Sequence, residues 1–228
     1  MFKDIKFTHM LGHNNLYPPK PAYKEIPNWY QKTESYVSGK KELPNANINE
    51  TIKKCVPVFD AITAGYILFT PTDLEVTNKN GMPYYQWPDT KIIEFHPSQQ
   101  APLHPLANDL PYPKWINPWI IETPKGYSTL FIQPFHRNSI FTVMPAIVDT
   151  DSYTGLINFP FVLNDAKWEG MIPAGTPMIQ AIPFKRNKFK MKMGLEKEIK
   201  KSLYHGVYLR SLWRNKYKTL FWERKEYR

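Results

Sequence analysis

The chain has 228 residues, of which 42% are hydrophobic and 15% aromatic, and it carries a formal net charge of +10. This composition supplies a packed core and excludes a wholly disordered chain; no apolar run reaches the roughly 18 residues of a membrane-spanning helix, and MFKDIKFTHMLGHNN lacks the apolar stretch and cleavage site of a secretory signal. The single cysteine, Cys55, rules out an internal disulfide and is expected to be a buried thiol in a reducing compartment.

In chain order, residues 1–50 come first. They contain NNLYPPKPAYKEIPNW and KELPNANINE and sustain neither a period of 2 nor one of 3.6. They read as an extended N-terminal arm that packs on another surface through Tyr23, Ile26, Trp29 and Tyr30, since disordered segments are poor in aromatics. From Thr51 the pattern changes. In KKCVPVFDAITAGYILFTPTDLEVT, short apolar runs are broken by Pro57, Gly65 and Pro71, the punctuation of strands and turns. Further strands are predicted at 91–96, 118–123, 127–134, 140–148, 154–163 and 177–183. Residues 51–184 therefore read as an all-β core, a compact sandwich or barrel.

Within that core, FHPSQQAPLHPLANDL holds His96, His104 and Asp109, but the spacing of the histidines matches no tight metal motif, and a proline-rich surface loop is the simpler reading. His136 and Arg137 in PFHRN read as a turn at a strand end. No nucleophile elbow, HExxH pair, phosphate-cradling glycine loop or zinc-type cysteine set is present. No cofactor and no metal are expected.

All 22 prolines precede Phe184, and residues 185–228 hold 15 of the 30 Lys and Arg against 4 of the 20 Asp and Glu. This third region reads as a basic, mostly helical tail. Beyond Gly194, Leu195, Ile199, Leu203, Leu209, Leu212, Trp213 and Leu220 can share one helical face, with Glu196 and Glu198 in the first turn and Arg224, Lys225 and Arg228 at the end, as the helix dipole favours. Lys185, Arg186, Lys188, Lys190 and Lys192 alternate with Phe184 and Phe189 in a pattern able to neutralise phosphates. Trp213, Phe221 and Trp222 instead favour docking on another subunit, because so much aromatic surface is costly to leave bare.

Residues 146–184, AIVDTDSYTGLINFPFVLNDAKWEGMIPAGTPMIQAIPF, resemble the central motifs of the dUTPase and dCTP deaminase superfamily: Val148, Asp149, Asp151, Tyr153 and Gly155, then Gly175, Ile179 and Gln180. AGYILFTPTDLEV (64–76) is similar to that superfamily's opening strand. The resemblance implies a β-clip core in which Gly175 makes a tight turn and Gln180 lines a cleft at a subunit boundary. It also implies, for an enzyme, that Asp149, Asp151 and Tyr153 carry the chemistry, with Tyr153 and Gln180 on the nucleotide. Ile67 stands where the superfamily has an aspartate, and YSTLFIQPFHRN (127–138) holds no Arg-Ser-Gly phosphate-binding triplet. The same stretches, with KCVPVFDAITAGYILFTP and NPWIIETPKGYSTLFIQP, also resemble an uncharacterised family of bacterial and bacteriophage proteins.

These readings converge on a dUTPase-like β-clip core with an extended arm and a basic C-terminal helix. The leading functional expectation is a non-enzymatic assembly or virion-associated phage protein, homo-oligomeric or part of a larger particle, in the host cytoplasm or the virion. Trp29, Tyr30, Trp213, Phe221 and Trp222 are the expected interface anchors. The alternatives are a nucleotide-binding enzyme or sensor, and a nucleic-acid-binding accessory protein working through the tail.

Overall fold

The computed structural model describes residues 3–10, 17–37, 50–88, 91–100, 103–106, 110–194 and 216–228. These are mainly β. The strands are β1 (Lys6–His9), β2 (Lys20–Pro21), β3 (Tyr66–Phe69), β4 (Leu74–Lys79), β5 (Met82–Gln86), β6 (Ile93–His96), β7 (Tyr112–Trp115), β8 (Trp119–Glu122), β9 (Tyr127–Ile132), β10 (Phe141–Val143), β11 (Ala146–Val148), β12 (Phe159–Leu163), β13 (Gly170–Ile172) and β14 (Pro177–Lys185). The helices are α1 (Asn28–Lys32), α2 (Val56–Thr63) and α3 (Lys216–Leu220). Every pairing between these strands is antiparallel.

The described chain divides into two compact units. The larger comprises Met1–Pro27, Ile62–Arg186 and Tyr227–Arg228 and holds all these strands. Its sheets run β11-β9-β14-β3-β2, β10-β12-β7-β6, β13-β4-β5 and β1-β8. They enclose one aromatic core. Trp115 stacks on Phe161 at 4.7 Å between ring centres, Phe141 tilts against both, and Phe131 meets Phe159 at 5.2 Å. Leu68, Ile172, Ile179 and Ala181 close the cluster. Such aromatic pairs add about 0.5–1.5 kcal/mol each beyond the area they bury.

Strand β14 lies at the centre of the five-stranded sheet, between β9 and β3. That position explains why Met178, Ile179, Gln180 and Ala181 are all fully buried. The sheet's second face is covered locally by a small cluster of Ala22, Ile67 and Phe69. Gly65, just before β3, approaches β14 so closely that an added Cβ would lie 2.0 Å from the Ala181 carbonyl oxygen. The tight turn expected before β14 forms: Gly175 has φ 78° and lies under the Tyr17 ring.

The smaller unit comprises Asn28–Ala61 and Asn187–Glu226. In it Tyr30 packs against Phe59 and donates its hydroxyl to the Lys53 carbonyl. Lys53 Nζ donates to the Tyr30 and Gln31 carbonyls at the end of α1, where a cation suits the helix dipole. Asp60 accepts from Trp222 Nε1 at 2.9 Å and from Lys225 Nζ at 2.8 Å.

Several expectations are corrected here. Val56–Thr63 is a helix, not a strand: Pro57 lies in its first turn, where a missing N–H costs nothing, and the apolar run is too short for periodicity to decide. The strand expected over 140–148 is two strands in different sheets, separated at Met144–Pro145. The arm is not free of the core, because β1 pairs with β8 and β2 with β3. Cys55 is exposed, since the turn leading into α2 carries it on the outside. A C-terminal helix is present among the described residues as α3, which ends at Leu220, so Arg224, Lys225 and Arg228 follow it in irregular chain. The rest of the expected helix, including Trp213, lies outside the described residues.

Candidate functional site

Asp149, Asp151 and Tyr153 lie together at one end of the five-stranded sheet. β11 delivers the chain to Asp149, where a tight turn forms: the N–H groups of Ser152 and Tyr153 both donate to the Asp149 carbonyl, at 3.1 and 2.9 Å. Register places Lys185, the last residue of β14, opposite Tyr127 of β9, and the next N–H, that of Arg186, donates to the Gly126 carbonyl at 2.8 Å. The Arg186 guanidinium thereby reaches both carboxylates.

Asp151 accepts Arg186 Nη1 at 2.8 Å on one oxygen, and Arg186 Nη2 together with the Gly126 N–H on the other. Asp149 accepts the Ser128 hydroxyl at 2.6 Å and Arg186 Nη1 at 3.0 Å. The two differ in exposure, with 4% of the Asp151 side chain accessible against 61% for Asp149. Beneath them, Thr150 Oγ1 lies 2.7 Å from Thr123 Oγ1 and 2.8 Å from Thr129 Oγ1, a buried trio of hydroxyls.

The electrostatics follow from these partners. Bonds from Arg186, then the Gly126 N–H, hold Asp151 down to about 2. The Ser128 hydroxyl and then Arg186 lower Asp149, and Asp151 in turn raises Arg186. A carboxylate held below its ordinary range is a weaker base at neutral pH. With its charge already met by a guanidinium, it has less to offer a metal ion.

The sign of the linkage is definite. Asp151 titrates lower in the folded chain than in the unfolded one, so the unfolded state binds more protons as the solution is acidified. The stability it contributes is complete above the ordinary aspartate range and is lost as pH falls through that range toward about 2. Thermal melts of Asp151→Asn should be less stable than wild type at neutral pH, with the gap closing over that acid window. A gap of constant size down to pH 2 would contradict the ion pair.

The other expected site residues fall elsewhere. Gln180 is fully buried about 16 Å along β14 from Lys185. Its Oε1 accepts the Phe135 N–H at 3.0 Å and its Nε2 donates to the Ala64 carbonyl at 2.7 Å. It therefore lines no open cleft of this chain and is not brought together with the aspartates. Tyr153 turns its hydroxyl to the Leu156 carbonyl and lies over Gly155, where a Cβ would meet the ring. Ile67 is core. Arg186, expected among the phosphate contacts, is instead the partner of Asp149 and Asp151. Lys188, Lys190 and Lys192 are exposed in irregular chain.

Of the expected interface anchors, Tyr30 is a correction: it is buried within its own chain by Phe59 and Trp29. Trp222 spends its indole N–H on Asp60. Trp29 and Phe221 are exposed. Arg137 donates to the Glu25 carbonyl, and burial lowers its pKa; His136, at φ 55°, makes the expected turn. Among the described residues no three His, Cys, Asp or Glu side chains converge, and Asp109 lies outside them. No helix among them is long and apolar enough to cross a membrane.

Reading by motif missed Ser128 and the threonine trio, and it placed Arg186 among the phosphate contacts rather than beside the aspartates. The usable signal was a pair of consecutive polar residues, Ser128 and Thr129, in an otherwise apolar run, and both are buried.

No family model and no curated protein matches the chain. Among solved structures it is similar to a mutant dUTPase from phage phi11 of S. aureus, at 13% identity over 59% of this chain and 85% of that one, with a TM-score of 0.31. It is likewise similar to a mutant dUTPase of Staphylococcus bacteriophage 80alpha with dUpNHpp, at 12% identity over 58% and 76% of the two chains, also with a TM-score of 0.31.

Proposed function

We propose that this chain is a non-enzymatic assembly protein, phage-encoded and built on a degenerate dUTPase-like core, whose C-terminal segment is buried by neighbouring subunits. The observation that carries the reading is the segment that follows β14. Every residue from Phe184 to Gly194 is exposed, and Phe189, Met191 and Met193 are 89, 86 and 85% accessible. They alternate with Lys188, Lys190 and Lys192, the period of two that, on an extended chain, sets apolar and cationic side chains on opposite sides. Three large apolar side chains bare in a row mark a contact surface rather than a solvated loop. The pairing of Asp149 and Asp151 with Arg186 supports the non-enzymatic part, because it gives the motif's carboxylates a structural task. The phage origin and the dUTPase-like core rest on the sequence motifs.

The test is the mass of the full chain by light scattering. The triple substitution Phe189→Ser, Met191→Ser, Met193→Ser should lower the oligomeric state or abolish association with a particle, while leaving the melting temperature within a few degrees of wild type. An unchanged mass and unchanged particle association would overturn the reading. Turnover of dUTP with Mg²⁺, lost in Asp149→Asn, would replace it with the nucleotide-enzyme reading. Binding of single-stranded DNA that weakens steeply with salt, and that needs the lysines rather than Phe189, would replace it with the nucleic-acid reading.

A further inference from the structure

The tip of the β4–β5 hairpin holds a chemically reactive pair. Asn80 and Gly81 form the only Asn–Gly step in the sequence. Lys79 pairs with Met82, so these two residues alone turn the chain. Both have positive φ, 56° and 82°, the conformation that a two-residue hairpin turn demands and that Asn and Gly tolerate. Both are exposed, and a Cβ added at Gly81 would meet nothing within 4 Å.

An asparagine followed by glycine can lose its side-chain amide without an enzyme. Base takes the proton of the glycine N–H, and that nitrogen attacks the asparagine Cγ. The Cγ–Nδ2 bond breaks, ammonia leaves with a proton returned from solvent, and a cyclic imide remains. Water opens the imide at either carbonyl and gives aspartate or, with the main chain rerouted through the side chain, isoaspartate. Glycine makes the step fast because no side chain crowds the attacking nitrogen. In the folded hairpin that nitrogen is held. The Gly81 N–H donates to Asn78 Oδ1 at 2.9 Å. Asn78 is itself fixed, since its Nδ2 donates to the Ala166 carbonyl at 3.1 Å and its N–H to Glu169 Oε1 at 2.6 Å. A proton engaged in such a bond is withheld from base until the tip opens locally.

We propose that Asn80 is a site of spontaneous deamidation and that Asn78 sets its rate by holding the Gly81 N–H. Water and hydroxide are the only co-reactants. The two products act differently on the hairpin. Aspartate adds a negative charge beside Lys79, whose ammonium lies over the Tyr84 ring at 4.1 Å. Isoaspartate adds a methylene to the main chain of a turn that spans two residues, which works against the pairing of Lys79 with Met82. β4 carries β13 on its other side, so loosening the tip reaches the whole three-stranded sheet. The change accumulates with time and makes the tip a record of how often β4 and β5 have parted. It uses none of the residues on which the assembly reading rests.

The test is to incubate the full chain at neutral and mildly alkaline pH, below its melting temperature, and to follow amide loss at each asparagine by mass spectrometry of its peptides. Loss at Asn80 should be severalfold slower in the folded chain than in the same chain in guanidinium chloride. Asn78→Ala should speed it severalfold in the folded chain, and Asn80 should then convert before Asn138, an exposed asparagine followed by Ser139. Asn78→Asp loses the same bond to Ala166 but keeps an oxygen for the Gly81 N–H, so its rate should stay close to that of its parent. Both substitutions are made in a Glu169→Gln parent, which removes the neighbouring charge and keeps an acceptor for the N–H at position 78. Gly81→Ala should slow the loss in every one of these chains. Equal rates in the folded and denatured chains would overturn the proposal. So would an Asn78→Ala rate equal to its parent's, an Asn78→Asp rate as fast as that of Asn78→Ala, or conversion of Asn138 ahead of Asn80 in the Asn78→Ala chain.

Discussion

Gln180→Leu is expected to destabilise the folded chain by roughly 1–4 kcal/mol, because it removes a fully buried amide and leaves its two part-buried backbone partners unpaired, at up to about 1–3 kcal/mol each. The Phe135 N–H loses its acceptor and the Ala64 carbonyl its donor. Leucine fills the volume between Ile67 and Ile132, the register neighbours of Gln180, but bonds to neither group. For a domain whose total stability is about 5–15 kcal/mol, that is a large share. Urea denaturation followed by tryptophan fluorescence measures it, and a midpoint equal to wild type would show that Gln180 is not a tie between β14 and its flanking loops. Gln180→Glu adds a signed control. A buried carboxylate beside the Ala64 carbonyl has its folded pKa raised, so the variant should regain stability as pH falls and lose it as pH rises through that raised value.

Gly65→Ala should cost a similar amount, roughly 2–5 kcal/mol, through two independent effects. Its φ of 66° is a conformation that a side chain occupies only with strain, and its Cβ would lie 2.0 Å from the Ala181 carbonyl oxygen. The obstacle is backbone of the central strand, which cannot turn aside as a flexible side chain would, so overpacking adds to the dihedral strain. Gly81, with φ 82° and open space around its Cβ, is the comparison. Gly81→Ala carries the dihedral strain alone and should lose clearly less stability. Equal losses at the two positions would show that the close approach to β14 contributes nothing.

Much of the core was legible in the sequence because its strands are short, apolar and punctuated. Runs ending in proline or glycine marked β3, β6, β8, β9 and β14 nearly residue for residue. The β4–β5 hairpin was passed over although Asn80–Gly81, whose two positive φ values make the two-residue turn between the strands, is a strong local signal. Tyr112–Trp115 was less visible, since two prolines disguise a strand whose Trp115 is fully buried. The helix at Val56–Thr63 was hidden for the opposite reason, a short apolar run that satisfies either period. At the candidate site, the aspartates stood out through their resemblance to a known motif, and their fate did not. Whether Asp149 and Asp151 act on a ligand or on the chain depends on the register that brings Arg186 beside them from 35 residues away, and register is a property of the closed sheet. Gln180 was legible as unusual, a polar residue in an apolar strand, but its partners at Ala64 and Phe135 come from separate loops.

Arg186 also sets where a pull on the tail would be felt. Tension applied to the chain beyond residue 187 reaches the guanidinium first, and Asp149, Asp151, the Ser128 hydroxyl and the Tyr127 carbonyl hold it from several directions. Behind that clamp lies β14, bonded along one side to β9 and along the other to β3. A load drawn along its axis shears both ladders together instead of peeling bonds one at a time. Resistance to such a load is governed by the rate of unfolding rather than by equilibrium stability. On the assembly reading proposed above, a subunit held by its C-terminal segment would be tethered through a strand bonded on both sides.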